Sequence, residues 1–135
     1  MKILVTGGRL YGQVAEDCPR DMLEEELLRA ARERVRLYES LDEIKTKRGG
    51  ISCVVEGGAE GADRIAHNWA MERNVPTVRY SADWKTYGRA AGPVRNQQMI
   101  DEEKPDLIVA CKGGKGTADM IARAERHRIR IVYVP

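Results

Sequence analysis

Three short apolar runs in the chain each end in a glycine-rich turn. The runs are residues 2–5, 51–55 and 107–110, and the turns begin at Gly7, Gly57 and Gly113. Runs that are apolar throughout are typical of strands at the centre of a parallel sheet, where helices cover both faces. Two further runs, 75–78 and 129–134, bring the number of strands to about five. The sequence therefore predicts an α/β, Rossmann-like, doubly wound parallel sheet with helices on both faces.

Helical spacing appears in the segments between these runs. Asp21 is a suitable N-cap for a long first helix, with Glu24 as its capping-box partner. Residues 62–74, 93–103 and those after Thr117 predict three more helices, and 81–92 predict a loop. The apolar stripe predicted for the first helix comprises Leu23, Leu27, Ala30, Ala31, Val35 and Tyr38.

Composition limits the classes of function. At 135 residues, we expect residues 1–135 to form a single domain. The net charge of +2 is too balanced to indicate nucleic acid binding by itself. The three cysteines form no CxxC pair, so we expect neither disulfides nor a metal site, and Cys53 and Cys111, in or beside apolar runs, are predicted to be buried thiols. No signal peptide or long apolar segment is present, which favours a cytoplasmic protein without membrane contact.

The glycine-rich turns predict the ligand site. Ligands of open α/β sheets bind at the carboxyl ends of the strands, where all three turns would meet. Glycine lets the backbone approach a ligand closely, and a helix N-terminus attracts anions. Each turn alone could be a tight turn without a ligand, but three on one edge favour a nucleotide-like or phosphorylated ligand. The predicted ligand-binding residues are Gly7, Gly8, Arg9, Gly57, Gly58, Gly61, Asp63, Asn96, Gly113, Gly114, Lys115, Gly116 and Thr117.

Several side chains near these turns have two interpretations. Arg9 could bind a phosphate or remain a solvated cation, and Asp63 could support the second helix or contact a ribose hydroxyl. Tyr11, Trp84 and Tyr87 are candidates to stack on a base, although Trp84 could equally pack in the core.

Four motifs together resemble a known family. They are Gly57 to Asp63, Ala82 to Trp84, Gly92 to Asn96, and Gly113 to Asp119. In this combination the chain resembles the SLOG superfamily, a Rossmann-like group that includes the lonely-guy phosphoribohydrolases, the DNA-processing protein DprA and sensor domains. The resemblance spans nearly the whole chain and is greatest to a branch of small bacterial and phage proteins.

The resemblance implies a possible chemistry. Lonely-guy enzymes cleave the N-glycosidic bond of nucleoside monophosphates with a Pro-Gly-Gly-x-Gly-Thr-x-x-Glu motif and an arginine on the preceding helix. Here Lys112 replaces the proline and Met120 replaces the glutamate, while Arg95 is the counterpart of the arginine. If the chain is an enzyme, the catalytic candidates are Arg95 with Asp119 or Glu60, and Asp63 is a further acid.

Three functions follow from these observations. We expect a sensor or binding module for a nucleotide or nucleotide-derived ligand, because the family's glutamate is missing and a fold does not determine activity. The alternative is a phosphoribohydrolase-like N-glycosidic hydrolase of nucleoside monophosphates. Single-strand nucleic acid binding is a second alternative, disfavoured by the balanced charge and the few aromatic residues. We expect no cofactor, and the resemblance implies a homodimer.

Overall fold

A computed structural model describes all 135 residues. Five parallel strands form one sheet in the order β3-β2-β1-β4-β5. This arrangement confirms the predicted α/β fold class. The strands are β1 (Lys2–Thr6), β2 (Cys53–Glu56), β3 (Thr77–Arg79), β4 (Leu107–Cys111) and β5 (Arg130–Val134). The helices are α1 (Leu23–Lys47), α2 (Ala62–Glu72), α3 (Trp84–Tyr87), α4 (Ala91–Glu103) and α5 (Lys115–Arg126).

Helices cover both faces of the sheet. Successive strand residues point to opposite faces, so Ile3 and Val5 pack in one core cluster with α1 and α2, and Leu4 packs in the other with α4 and α5. The chain builds outward from β1 to β3 and then returns to place β4 beside β1 on the other side. The strand order therefore reverses between β1 and β4. In such sheets the ligand is expected in the crevice at the carboxyl ends of these two strands.

The predicted apolar face of α1 is only partly correct: Ala30 is buried and Tyr38 packs against the core, but Leu23 is exposed. The buried side chains are Ala30, Glu33, Leu37, Leu41 and Ile44, whereas Leu27 is 54% and Val35 53% exposed. The buried residues follow a neighbouring row of the helix, because Leu37, Leu41 and Ile44 lie in one core cluster with the apolar side chains of α2. Burial of Glu33 is offset by a hydrogen bond that its Oε1 accepts from Gly12 N at 2.8 Å.

Other local predictions also need correction. Asp21 does not cap α1, because residues 20–22 form a short 3-10 turn and the helix begins at Leu23. The 81–92 segment contains α3 and a further 3-10 turn, Gly88–Ala90, where the sequence predicted only a loop. Tyr11 is 3% exposed and its hydroxyl donates to Pro135 O at 3.1 Å, so it belongs to the core and does not stack on a ligand.

Two of the three cysteines, Cys53 and Cys111, are buried as predicted, and all three are free thiols. The protein contains no cluster of three or more His, Cys, Asp or Glu side chains arranged to hold a metal ion. None of its helices combines the length and the apolar character needed to cross a membrane.

The turns after β1, β2 and β4 are packed directly on one another. Gly8 N donates to Lys112 O at 2.9 Å, and Ala62 N donates to Gly8 O at 3.3 Å. A Cβ at Gly7 would stand 2.6 Å from the Ala62 side chain, and one at Gly113 would stand 2.7 Å from Gly8 N. Gly61, at φ +78°, lies against the carbonyls of Gly8 and Arg9. These glycines are required by the packing of the turns, whether or not a ligand binds.

Candidate functional site

A cavity of about 450 Å³ opens at the carboxyl edge of the sheet. The turns after β1, β2 and β3 form its walls, together with the N-terminal parts of α4 and α5. Its volume lies within the range of roughly 300–1,000 Å³ that is usual for small-molecule sites. Of the residues that the sequence singled out, the cavity is lined by Gly7, Gly8, Arg9, Gly57, Gly58, Asp63, Trp84, Arg95, Asn96, Gly114, Gly116 and Thr117.

Five predicted site residues lie outside this lining. Gly61 and Gly113 support the packing of the turns, as described above. Lys115 and Glu60 are exposed and do not line the cavity. Asp119 lies between α4 and α5, where its Oδ2 accepts from Asn96 Nδ2 at 3.0 Å and from Arg123 Nε at 2.8 Å.

The charge of Asp119 is already neutralised by these contacts. Burial opposes ionisation of Asp119, but the hydrogen bonds from Arg123 and Asn96 outweigh it and hold the pKa below its usual range. Asp119 therefore orders the helix pair and keeps Asn96 in position, and it is not one of the groups that the cavity presents to a ligand.

The N-terminus of α5 presents bare backbone to the cavity. Its first helical hydrogen bond runs from Ala118 N to Gly114 O at 3.0 Å, so the N–H groups before Ala118 lie outside the helical ladder. A Cβ added at Gly114 or Gly116 would meet no atom within 4 Å. Gly116 lies in the first turn of α5, and glycine within a helix costs about 1 kcal/mol relative to alanine, whereas Gly114 is the N-cap, where glycine is tolerated. No packing constraint explains Gly114 and Gly116, and the surface that they leave bare faces the cavity.

Arg95 is a half-buried cation without a carboxylate partner. Its Nη1 donates to Gly57 O at 2.9 Å and to Tyr80 O at 3.4 Å. Arg95 forms none of the protein's ion pairs. Burial lowers its pKa, and the charges of Asp63 and Glu56 act against that effect. With Arg9, also on the lining, it gives the cavity two guanidinium groups.

Asp63 is the acidic side chain that the cavity presents. Its Oδ2 accepts from Gly57 N at 3.1 Å and from Ala59 N at 3.2 Å, so it holds the turn before α2. Burial raises the pKa of Asp63 to about 6, and the nearby Glu56 charge adds to this shift against the two backbone hydrogen bonds and Arg95. Asp63 therefore carries a negative charge at neutral pH, in surroundings that oppose it.

Glu56 is an important residue that the sequence analysis did not select. It is the last residue of β2 and is fully buried. Its carboxylate accepts from Gly58 N at 2.6 Å and from Arg79 Nε at 2.8 Å. The signal in the sequence is a charged residue directly after an apolar run and before Gly57-Gly58, where a turn needs an acceptor for its N–H groups.

Comparisons with known proteins agree with this fold. Residues 1–87 match the model of the YAcAr family, described as the YspA, cpYpsA-related SLOG family. The chain is 32% identical over 139 residues to the Gene 61 protein of Mycobacterium phage D29, covering 97% of this chain and 94% of the phage protein. The X-ray structure of TM1055, a structural genomics target, superposes with a TM-score of 0.64 at 17% identity, covering 96% of this chain and 71% of that one.

The class defined by this fold is the Rossmann-like SLOG group, as the sequence motifs indicated. Within it, the chain belongs to the YspA, cpYpsA-related SLOG family. The likeness to TM1055 supports the fold alone, because the two sequences share few residues.

The raised pKa of Asp63 predicts an unusual pH dependence of stability. The pKa of Asp63 is about 6 in the folded protein, against an ordinary value of 3.8. Protonated Asp63 therefore contributes stability that is fully present below pH 3.8 and is lost as the pH rises through 6. We expect Asp63→Asn to be more stable than the wild type at pH 7.5, by up to about 3 kcal/mol, and to lose that advantage near pH 4. Urea unfolding at both pH values measures the difference.

Asp119→Asn is the matched control, because the pKa of Asp119 is shifted in the opposite direction. Its stabilisation is present at neutral pH and lost on acidification, so this variant should be less stable than the wild type at pH 7.5. An Asp63→Asn variant that is less stable than the wild type at pH 7.5 would show that the charged form of Asp63 is favoured in the fold.

Proposed function

We propose that the cavity binds the phosphate of a nucleotide or nucleotide-derived ligand, and that the protein acts as a binding or sensor module. The observation that carries this proposal is the pair Gly114 and Gly116, which leave the backbone bare toward the cavity with no packing reason to do so. Membership of the SLOG family supports a nucleotide-related role.

The phosphate would lie at the N-terminus of α5. The N–H groups before Ala118 and the positive end of the helix dipole favour an anion there. Arg9 lies on the same lining and is exposed, so its guanidinium is free to form a two-pronged contact with phosphate oxygens. Thr117 adds a hydroxyl from the first turn of the helix.

Arg95 and Asp63 would meet the part of the ligand next to the phosphate. Arg95 contributes positive charge that no protein carboxylate neutralises directly. Asp63 contributes a carboxylate whose Oδ2 already accepts from two backbone N–H groups, so that Oδ1 is the oxygen left for a ligand hydroxyl. A phosphorylated sugar satisfies both groups, because it pairs negative charge with hydroxyl donors.

Calorimetric titration with AMP tests the phosphate site. Gly114→Val places a side chain over the N–H groups, and it should fold normally because nothing lies within 4 Å of the added Cβ. We expect its affinity for AMP to fall on the order of a hundredfold, since two charge-assisted hydrogen bonds are lost.

Lys115→Ala is the control in the same turn, because the Lys115 side chain does not line the cavity. Its affinity for AMP should stay close to that of the wild type. If Gly114→Val binds AMP as well as the wild type does, the N-terminus of α5 is not the phosphate site.

A second candidate, hydrolysis of the N-glycosidic bond, is favoured by Asp63 alone. Departure of a base leaves positive charge on the ribose, which a carboxylate next to it stabilises. Asp63 is a carboxylate on the cavity wall near Arg95, whereas Met120, at the family's glutamate position, is fully buried under the sheet. The alternative enzyme would therefore use Asp63 and Arg95.

Overnight incubation with nucleoside monophosphates, followed by chromatography, separates the two candidates. We expect the wild type to release no base, because Met120 stands where the lonely-guy motif has its glutamate. Release that is lost in Asp63→Asn and retained in Asp119→Asn and Glu60→Gln would instead identify the protein as a hydrolase. Arg95→Ala should weaken binding of AMP in either case, because it removes a cation from the cavity.

A further inference from the structure

Trp84 is a large apolar ring left exposed on the wall of the cavity. It begins α3 and has 55% of its surface exposed, while it also lines the cavity. The other tryptophan, Trp69, is fully buried and its Nε1 donates to Asp42 Oδ1 at 2.9 Å. Covering the Trp84 ring with a flat aromatic group would remove apolar surface from water and add a stacking contact.

The position of the ring is fixed by its own short helix and by α4. Asp83 caps α3 by accepting from Thr86 N at 3.1 Å. The far edge of the Trp84 ring, at Cη2, lies 3.9 Å from where a Cβ of Gly92 would stand. The ring therefore lies over the first turn of α4, where glycine presents no side chain against it. Tyr87, on the same short helix, is also exposed but does not line the cavity.

Helix α4 sets the spacing between this ring and the phosphate end. Gly92 and Asn96 are four residues apart, which is a rise of about 6 Å along a helix. Asn96 Nδ2 donates to Gly116 O at 3.2 Å and so contacts the N-terminal turn of α5. Arg95 lies between these two points. Helix α4 therefore contacts the ring at Gly92 and the N-terminal turn of α5 at Asn96, and both border the same cavity of about 450 Å³, which has room for a sugar.

We propose that Trp84 is the stacking platform for the aromatic base of the ligand. This inference rests on the proposed function, because it assumes that a phosphate binds at α5. It specifies the ligand as one that carries a base on a phosphorylated sugar, rather than a sugar phosphate alone. Beside Trp84 the chain contributes Ser81 and Ala82 to the lining, so the base is held mainly by stacking. Stacking tolerates any base, and AMP and UMP should both bind.

Calorimetry with AMP, UMP and ribose 5-phosphate tests the assignment. We expect Trp84→Leu to weaken binding of AMP by roughly ten- to a hundredfold, the range that loss of one base stack produces. Its affinity for ribose 5-phosphate, which has no base, should not change. Tyr87→Leu is the matched control and should bind all three ligands as the wild type does.

Tryptophan fluorescence gives an independent readout. AMP should quench the emission of the wild type and of Tyr87→Leu, and ribose 5-phosphate should not. In Trp84→Leu only the buried Trp69 emits, so an unchanged Trp69 spectrum shows that the variant is folded, and AMP should leave that emission unaltered.

The outcomes separate this inference from the proposed function. If the wild type binds AMP and ribose 5-phosphate equally tightly, the proposed phosphate site is supported and the proposed stacking of a base on Trp84 is overturned. If Trp84→Leu weakens both ligands to the same extent, Trp84 shapes the cavity without contacting a base, and the inference is again overturned. If the wild type binds none of the three ligands, both proposals fail.

Discussion

The backbone of Gly8 joins the turns that form the cavity. Its N–H donates to the turn after β4, at Lys112 O, and its carbonyl accepts from the first residue of α2. Gly61 and Gly113 lie against it so closely that neither position accommodates a side chain without movement. Because β1 is the central strand, these contacts hold the carboxyl ends of β2 and β4 at a fixed separation. The three turns that border the cavity are therefore held against one another through Gly8.

The charges around the cavity are arranged at a cost to stability. Arg95 is half buried with only carbonyl oxygens as acceptors, and Asp63 is ionised in surroundings that raise its pKa to about 6. Other carboxylates near the cavity have cationic partners, as Asp119 has Arg123 and Glu56 has Arg79. Shifted pKa values gathered in one cavity are typical of functional sites, and they support the proposed ligand site.

Much of this architecture follows from the sequence. The all-apolar runs identified buried parallel strands, and their glycine-rich turns identified the edge where the cavity lies. The buried face of α1 could not be predicted, because two adjacent apolar rows share that helix and only the packing on α2 selects one of them. The positions of Glu56 and Asp119 depend on partners that are each 23 residues away, Arg79 and Asn96, which no local pattern reveals.

The central claim is that bare backbone at the start of α5 binds a phosphate. A ¹⁵N NMR titration of the wild type with inorganic phosphate tests it most directly, because it reports each N–H group separately. The largest amide shifts should occur at Gly114, Gly116 and Thr117, with smaller shifts at Gly8 and Arg9 on the facing turn. An absence of shifts at these amides at saturating phosphate, or shifts confined to residues outside the cavity, would contradict the account.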